Sequence, residues 1–333
     1  MIVYFYSMKY AVFTILMFCS LVSFAQLSGS NKKQLALKED SLKIQSYKII
    51  NGISAAERLK ADSLFTRAFV RALKVPHSFQ YQFDSIQTIS KLYPPDSTFR
   101  IFTWQMVINE NVIRQHGALQ MKTADGSLKL FPLIDKSDVT NNIADTIGNN
   151  FGWIGAVYYK LISTKHNGQT YYTLLGYDEN NIRSNKKIIE VLQFKNGQPL
   201  FGGRFFNTTE NADLPKNLSR FVLEYKRATS PRLTYDAELD MIVMEHLISP
   251  TNEPAKKYTL IPDGDYEGFK WKDGQWNYVT KIFTLVTPEN QPPTPSLILD
   301  AQGNIDETKV AGYEPGEKAP ATPVKKEKIK KKD

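Results

Sequence analysis

The chain has 333 residues, of which 42% are hydrophobic and 12% aromatic, and its formal net charge is +8. This composition excludes disorder of the whole chain, because it supplies enough apolar surface for one large domain or two ordinary ones. The single cysteine, Cys19, lies near the N-terminus, so the rest of the chain can form neither a disulfide nor a thiolate metal site.

The first 25 residues predict an export signal. Lys9 precedes an apolar run over residues 11–18, and Ser23 and Ala25 are the small residues of a cleavage site before Gln26. The run is shorter than the roughly 20 residues that span a bilayer, so we expect cleavage and no stable membrane span afterwards. The expected location is the periplasm or the exterior, and nucleic acid is not an expected partner.

Residues 26–77 have helical periodicity. Leu35, Leu42 and Ile49 recur every seven residues, and Ser54 with Glu57 is the capping-box pattern of a second helix. Pro76 should end that helix. Six of its residues are expected to share one buried face over the sheet that follows: Leu64, Phe65, Ala68, Phe69, Ala72 and Leu73.

Residues 78–290 are predicted to form an antiparallel β domain. Apolar residues alternate with polar ones, and Asn-Gly or Asp-Gly pairs, typical of tight hairpins, separate the runs. The expected strands are 99–108, 112–122, 128–134, 153–164, 170–177, 187–194, 199–202, 220–226, 232–236, 240–247, 257–261, 266–272 and 276–282. Residues 136–150 and 204–219 read as polar excursions.

The predicted fold class is therefore mainly β. No helical segment separates the strands, which excludes parallel βαβ units. The strands should form an antiparallel meander, arranged as a sandwich, a barrel or a curved sheet, with the N-terminal helical segment packed on it.

The C-terminal residues 291–333 predict a disordered tail. They are rich in Pro and Lys, and residues 325–333 carry six lysines against two acidic residues, which is half of the net charge. A solvated tail is the favoured interpretation, and contact with an acidic partner is the alternative.

The loop between two apolar runs, "YDENNIRSN", is the first candidate site. Asp178, Asn180, Asn181 and Arg183 are the binding candidates in it. Asp and Asn stabilise such loops by accepting hydrogen bonds from nearby amides, so Asp178 should accept from the backbone near Asn180 or Asn181, at an exposed position. Ca²⁺ needs six to eight oxygens, so we expect turn structure rather than a metal site.

The segment "IPDGDYEGFK" is the second candidate site. Asp263, Asp265 and Glu267 alternate, and an extended strand would place them on one side. A carboxylate pair separated by about 5 to 9.5 Å could hydrolyse a glycosidic bond. The simpler interpretation is an Asp-Gly turn followed by a strand.

Tyr171 and Tyr172 are the third candidate. Because consecutive strand residues face opposite sides, one ring should point away from the core, unless a second layer covers it. An exposed ring could stack on a sugar or anchor a protein partner.

The sequence contains no pattern that nominates a catalytic residue or a cofactor. None of the four histidines has zinc-ligand spacing, and nucleophile-elbow, phosphate-loop and dinucleotide motifs are missing. We therefore expect no cofactor and no metal, and the favoured function is an exported, non-enzymatic envelope protein that binds a protein or a glycan. The alternative is a glycan-directed hydrolase that uses Asp178, Asp263, Asp265 and Glu267.

Three stretches, "PPDSTFRIFTWQ", "LLGYDENN" to "GQPLFGG", and "IPDGDYEGFKWKDGQWNYV", resemble a group of uncharacterised exported proteins of Bacteroidota bacteria. The likeness covers roughly residues 30–285. It implies export and a shared fold, and it transfers no catalytic residue.

Overall fold

The structure, a computed structural model, describes residues 26–216 and 218–282. The predicted signal and the predicted tail lie outside these residues. Two helices come first, α1 (Gly29–Asn51) and α2 (Ala55–Leu73). Ser54 caps α2 by accepting from the Glu57 amide at 3.2 Å, whereas the Glu57 carboxylate accepts from the Ile53 amide rather than from Ser54.

Strands then follow one another with only short 3₁₀ turns between some of them. They are β1 (Ser90–Leu92), β2 (Phe99–Asn109), β3 (Val112–Met121), β4 (Lys129–Ile134), β5 (Gly148–Asn149), β6 (Val157–His166), β7 (Gln169–Asp178), β8 (Ser184–Lys195), β9 (Gln198–Phe201), β10 (Phe206–Asn207), β11 (Arg220–Lys226), β12 (Leu233–Asp236), β13 (Met241–Ile248), β14 (Ile261–Lys272) and β15 (Gln275–Val279).

These strands form three sheets. The first sheet has the order β1-β2-β3-β4, and the second has the order β5-β9-β8-β7-β6 with β11 also paired to β8. The third sheet has the order β10-β15-β14-β13-β12. All the pairings between strands are antiparallel except the short one between β10 and β15. The predicted mainly β, antiparallel class is confirmed, and the described strands close no barrel.

The helices and the three sheets stack as four layers, and an apolar cluster lies between each layer and the next. The first cluster joins α1 and α2 to the face of β2 that carries Phe102, Trp104 and Met106. The second lies between the first and second sheets and includes Phe99 and Tyr172. In the third cluster the opposite face of the second sheet meets the third sheet. The second sheet is therefore buried on both faces, which explains its long apolar strands.

Tight turns fix the hairpins as the dipeptides predicted. At Asn167-Gly168, Asn196-Gly197 and Asp273-Gly274 both residues have positive φ, between 48° and 81°. That geometry matches the twist of the flanking strands, and Asn, Asp and Gly are the residues that tolerate it.

Two local predictions were wrong. The expected strand 257–261 is a 3₁₀ turn over Lys257–Thr259, and β14 begins only at Ile261. Leu64 is exposed rather than buried, because the buried face of α2 is centred on Phe65 and Phe69 instead. Spacing of i and i+4 alone does not decide which of two adjacent apolar residues faces the core.

A fully buried ion pair joins β8 to β11. Glu190 and Arg220 lie opposite each other in the two strands, and the guanidinium donates from Nε at 3.1 Å and from Nη2 at 3.0 Å to the same carboxylate oxygen. The Tyr158 hydroxyl donates to the other oxygen of Glu190, and Arg220 Nη1 donates to the Thr146 carbonyl at 2.8 Å. Because every charged atom has a partner, the pair is tolerated inside the protein.

Candidate functional site

The loop between β7 and β8 is organised around Asp178, the last residue of β7. Its Oδ1 accepts from the Asn180 amide at 3.0 Å and from Gln115 Nε2 at 2.8 Å. Asn180 has a φ of 53°, the left-handed conformation that Asn tolerates. The predicted hydrogen bond from the backbone at Asn180 is present.

The Asp178 side chain is not on the surface, contrary to the expectation of an exposed site. Only 8% of the residue is exposed, because Gln115 of the first sheet covers it. Burial raises the pKa of Asp178 above its ordinary value, although the Asn180 amide and Lys186 favour the ionised form. The carboxylate therefore links two sheets and is not available to a ligand.

The other polar residues of this loop also stabilise it internally. Asn180 Nδ2 donates to Ser184 Oγ at 2.8 Å, and Lys186 donates to Asn180 Oδ1 at 2.8 Å. Asn181 Oδ1 accepts from the Arg183 amide at 2.8 Å. The Arg183 guanidinium is exposed and lies 4.4 Å above the Tyr258 ring. Of the four predicted residues, Arg183 is the one that offers its charged group to solvent.

A bulge in β14 arranges the second candidate site. Glu245 and Leu247 of β13 pair with Tyr266 and Pro262, so His246 alone opposes three residues of β14, residues 263–265. Gly264 has a φ of 92°, a value that L side chains rarely adopt. Bulges of this kind re-aim side chains.

The bulge brings His246 against Asp263. Asp263 Oδ2 lies 2.8 Å from His246 Nδ1, and Asp263 Oδ1 accepts from the Asp265 amide at 3.0 Å. Partial burial raises the pKa of Asp263, but the hydrogen bonds from His246 and from the Asp265 amide outweigh it and hold the pKa below its ordinary value. The Asp265 side chain is exposed.

Glu267 lies on the same strand in a different environment. It is buried and accepts a hydrogen bond from the Tyr278 hydroxyl, which in turn accepts from Asn211 Nδ2 at 3.2 Å. Burial raises the pKa of Glu267, against the Tyr278 hydrogen bond and the nearby His246, which both lower it. Asp263 and Glu267 thus have pKa values moved in opposite directions, a property of acid–base pairs in enzymes.

The two tyrosines pack in different layers. Tyr171 meets Phe205 edge-to-face at 5.1 Å and Trp271 at a tilt at 6.0 Å, between the second and third sheets. Tyr172 packs on Phe99 at 4.8 Å between the first and second sheets. A second layer therefore packs on each face of β7: Tyr172 is buried, and Tyr171 is half-buried.

The structure adds a surface that the sequence interpretation missed. Residues 136–150 were predicted to be a polar excursion, but Val139 and Ile147 within them are exposed large apolar residues, as are Ile134 and Phe151 on either side. We call the whole stretch, residues 134–151, the excursion. Val139 is 74% exposed and Phe151 is 62% exposed. The Ile134 amide donates to the Asn150 carbonyl at 2.8 Å, which places Ile134 beside Phe151. The four residues are Ile134, Val139, Ile147 and Phe151.

No family model, curated protein or solved structure matches this chain. In the part of the chain that the structure describes, no three His, Cys, Asp or Glu residues are grouped to hold a metal ion. Over the same residues, every helix is too short or too polar to cross a membrane.

Proposed function

We propose that the chain is an exported, non-enzymatic envelope protein that binds another protein through the excursion, residues 134–151. The observation that carries this proposal is the exposure of Ile134, Val139, Ile147 and Phe151 on one segment. Single exposed apolar residues are ordinary on a surface, whereas four on one short excursion are typical of a contact surface.

Two features of the candidate sites support a protein partner over a glycan. A glycan would need exposed rings, and Tyr171 and Tyr172 are packed between sheets. Three of the candidate carboxylates have internal partners: Asp178 binds Gln115, Asp263 binds His246, and Glu267 binds Tyr278.

Site-specific photo-crosslinking in the native envelope tests this proposal. A photoreactive residue at position 151 should give an adduct of one defined additional mass, because Phe151 lies inside the proposed contact. The matched control is position 182, since Ile182 is also an exposed large apolar residue but belongs to the β7–β8 loop. Equal adducts at both positions, or none at position 151, would contradict the proposal.

A glycan-directed hydrolase is the second candidate, and one observation favours it. The pKa values of Asp263 and Glu267 are moved apart, as a general acid and a carboxylate partner require. The test is release of new reducing ends from purified envelope polysaccharide. If the pair is catalytic, Glu267→Gln should abolish the release, whereas Asp178→Asn, in a different sheet, should leave it unchanged.

A further inference from the structure

The helical layer carries a second unusual surface, at the turn between α1 and α2. Ile53 lies in this turn and is 96% exposed. Tyr47 and Ile50 in the last turns of α1, and Leu59 near the start of α2, are also exposed. We call these four residues, Tyr47, Ile50, Ile53 and Leu59, the hairpin tip.

Ile53 lacks the local apolar contact that is usual at its position. It precedes the capping residue Ser54, and an apolar residue at this position ordinarily packs on the residue five positions later. That residue is Arg58, whose guanidinium instead donates to the Val107 carbonyl at 2.6 Å and to the Gly52 carbonyl at 2.6 Å. The helix start therefore leaves Ile53 without its usual apolar partner.

The outer side of α1 continues this surface. Leu35, Leu42 and Ile49 are buried against the sheet. Leu37 and Ile44 are exposed. Each follows a residue of the buried stripe by two positions, a rotation of about 200°, which places both on the opposite side of the helix. The helix is thus apolar on two sides, of which the fold covers one.

Charge around these residues is strongly positive. Residues 29–74 contain ten Lys and Arg against four Asp and Glu. Two of the acidic residues are buried and bonded internally, Glu39 to the Ser85 amide at 2.7 Å and Asp62 to the Trp104 indole at 2.9 Å. Glu57 lies 3.9 Å from Lys48. The cation excess therefore faces solvent, with Lys43 and Lys60 exposed near the tip.

The positive charge limits which molecule could cover the hairpin tip. Two copies of the hairpin would repel each other, and so would the Lys-rich segment 325–333 of the same chain. The occupant must therefore be anionic. A convex tip with a fully exposed aliphatic residue, a tyrosine and flanking lysines suits a lipid interface, where side chains insert singly among headgroups.

We propose that the hairpin tip docks on the surface of an anionic lipid bilayer. Ile53 and Ile50 enter the headgroup region, Tyr47 lies at its boundary, and Lys43 and Lys60 contact lipid phosphates. This contact is peripheral and spans nothing. This contact is independent of the excursion, so a negative result for lipid binding would not contradict the proposed protein partner.

The test is vesicle binding of the full mature chain. Vesicles of phosphatidylcholine with phosphatidylglycerol should bind the protein, and vesicles of phosphatidylcholine alone should not. Ile53→Ser should weaken binding about fivefold, and Lys43→Glu with Lys60→Glu about tenfold or more. The matched controls are Val139→Ser and Lys195→Glu, exposed residues outside the helices, and both should bind as the wild type does.

Each outcome decides the proposal. A loss in the Ile53 variant and in the double lysine variant, with unchanged controls, supports it. Binding that is insensitive to Ile53→Ser, which is the result expected if the lysines of 325–333 alone attach the chain, overturns it. Absence of binding to anionic vesicles also overturns it, as does equal binding to both vesicle types.

A fluorescent label gives a second readout that does not depend on affinity. With Cys19 removed or replaced, Ile53→Cys provides a unique labelling site. An environment-sensitive label at position 53 should shift to the blue on anionic vesicles, whereas the same label at position 139 should not. An acidic protein partner, instead of lipid, would leave the label at position 53 unshifted by vesicles.

Discussion

The buried pair of Glu190 and Arg220 offers the most quantitative test of the layered fold. Both side chains are completely inaccessible. Arg220→Met removes the cation but leaves the Glu190 carboxylate buried with only the Tyr158 hydroxyl as a partner. It also removes the donor to the Thr146 carbonyl. Breaking a buried pair on one side costs about 3–5 kcal/mol, because a charge is left uncompensated in a medium of low polarity.

Urea unfolding, followed by tryptophan fluorescence, measures that cost. Arg220→Met should lower the free energy of unfolding by about 3–5 kcal/mol, and Arg220→Met with Glu190→Leu should recover part of the loss, giving a coupling energy of about 2 kcal/mol. The matched control is Arg114→Met. Arg114 forms an exposed pair with Asp138, so its loss should cost under about 1 kcal/mol.

A small effect of Arg220→Met would contradict a dry environment for Glu190. If the variant lost less than about 1 kcal/mol, comparable to the Arg114 control, then Glu190 would be hydrated or relieved by rearrangement. The second sheet would then not be sealed on both faces, and the four-layer arrangement would need revision.

Three further predictions concern single residues. Asp178→Ala should cost about 1–3 kcal/mol by urea unfolding, because the Asn180 amide loses its acceptor and the Gln115 amide keeps only a long contact of 3.4 Å to Gln105. Gly176→Ala should destabilise by about 1–3 kcal/mol, since the new methyl carbon would lie 2.8 Å from the Ala156 Cβ. Glu267 has a native pKa raised by burial, so its contribution to stability is present below the ordinary Glu pKa and is lost as pH rises through the native value. Glu267→Gln should therefore unfold at a higher temperature than the wild type at neutral pH, and this difference should vanish in acid. A wild type that is more stable than Glu267→Gln at neutral pH would contradict a raised pKa of Glu267.

Most of the fold could be predicted from the sequence because local signals determine it. Turns at Asn167, Asn196 and Asp273 need positive φ, and the dipeptides that tolerate it are few. Alternation of apolar and polar residues predicted the strand 99–108, and the structure places Phe102, Trp104 and Met106 of β2 on the face that meets the helices. The predicted strand 257–261 was wrong because a 3₁₀ turn, here Lys257–Thr259, and a strand can have similar composition.

The candidate sites were harder to predict because burial depends on contacts between distant segments. Asp178 is buried by Gln115, 63 residues away in sequence, and no local pattern encodes that contact. The pairing of His246 with Asp263 depends on a bulge, which places three residues of β14 opposite a single residue of β13. Val139 and Phe151 have no periodicity, so their exposure is visible only in the folded chain.

The mass of the complex extracted gently from the native envelope tests the proposed binding function most directly. With wild-type protein, we predict a particle that exceeds the mass of one chain by the mass of one defined protein partner; after cleavage before Gln26 that chain weighs less than the 38.0 kDa of all 333 residues. Val139→Ser with Phe151→Ser should reduce it to the mass of the chain alone, while Ile182→Ser should leave the complex intact. A wild-type protein that is extracted as a single chain, with no partner attached, would contradict the account.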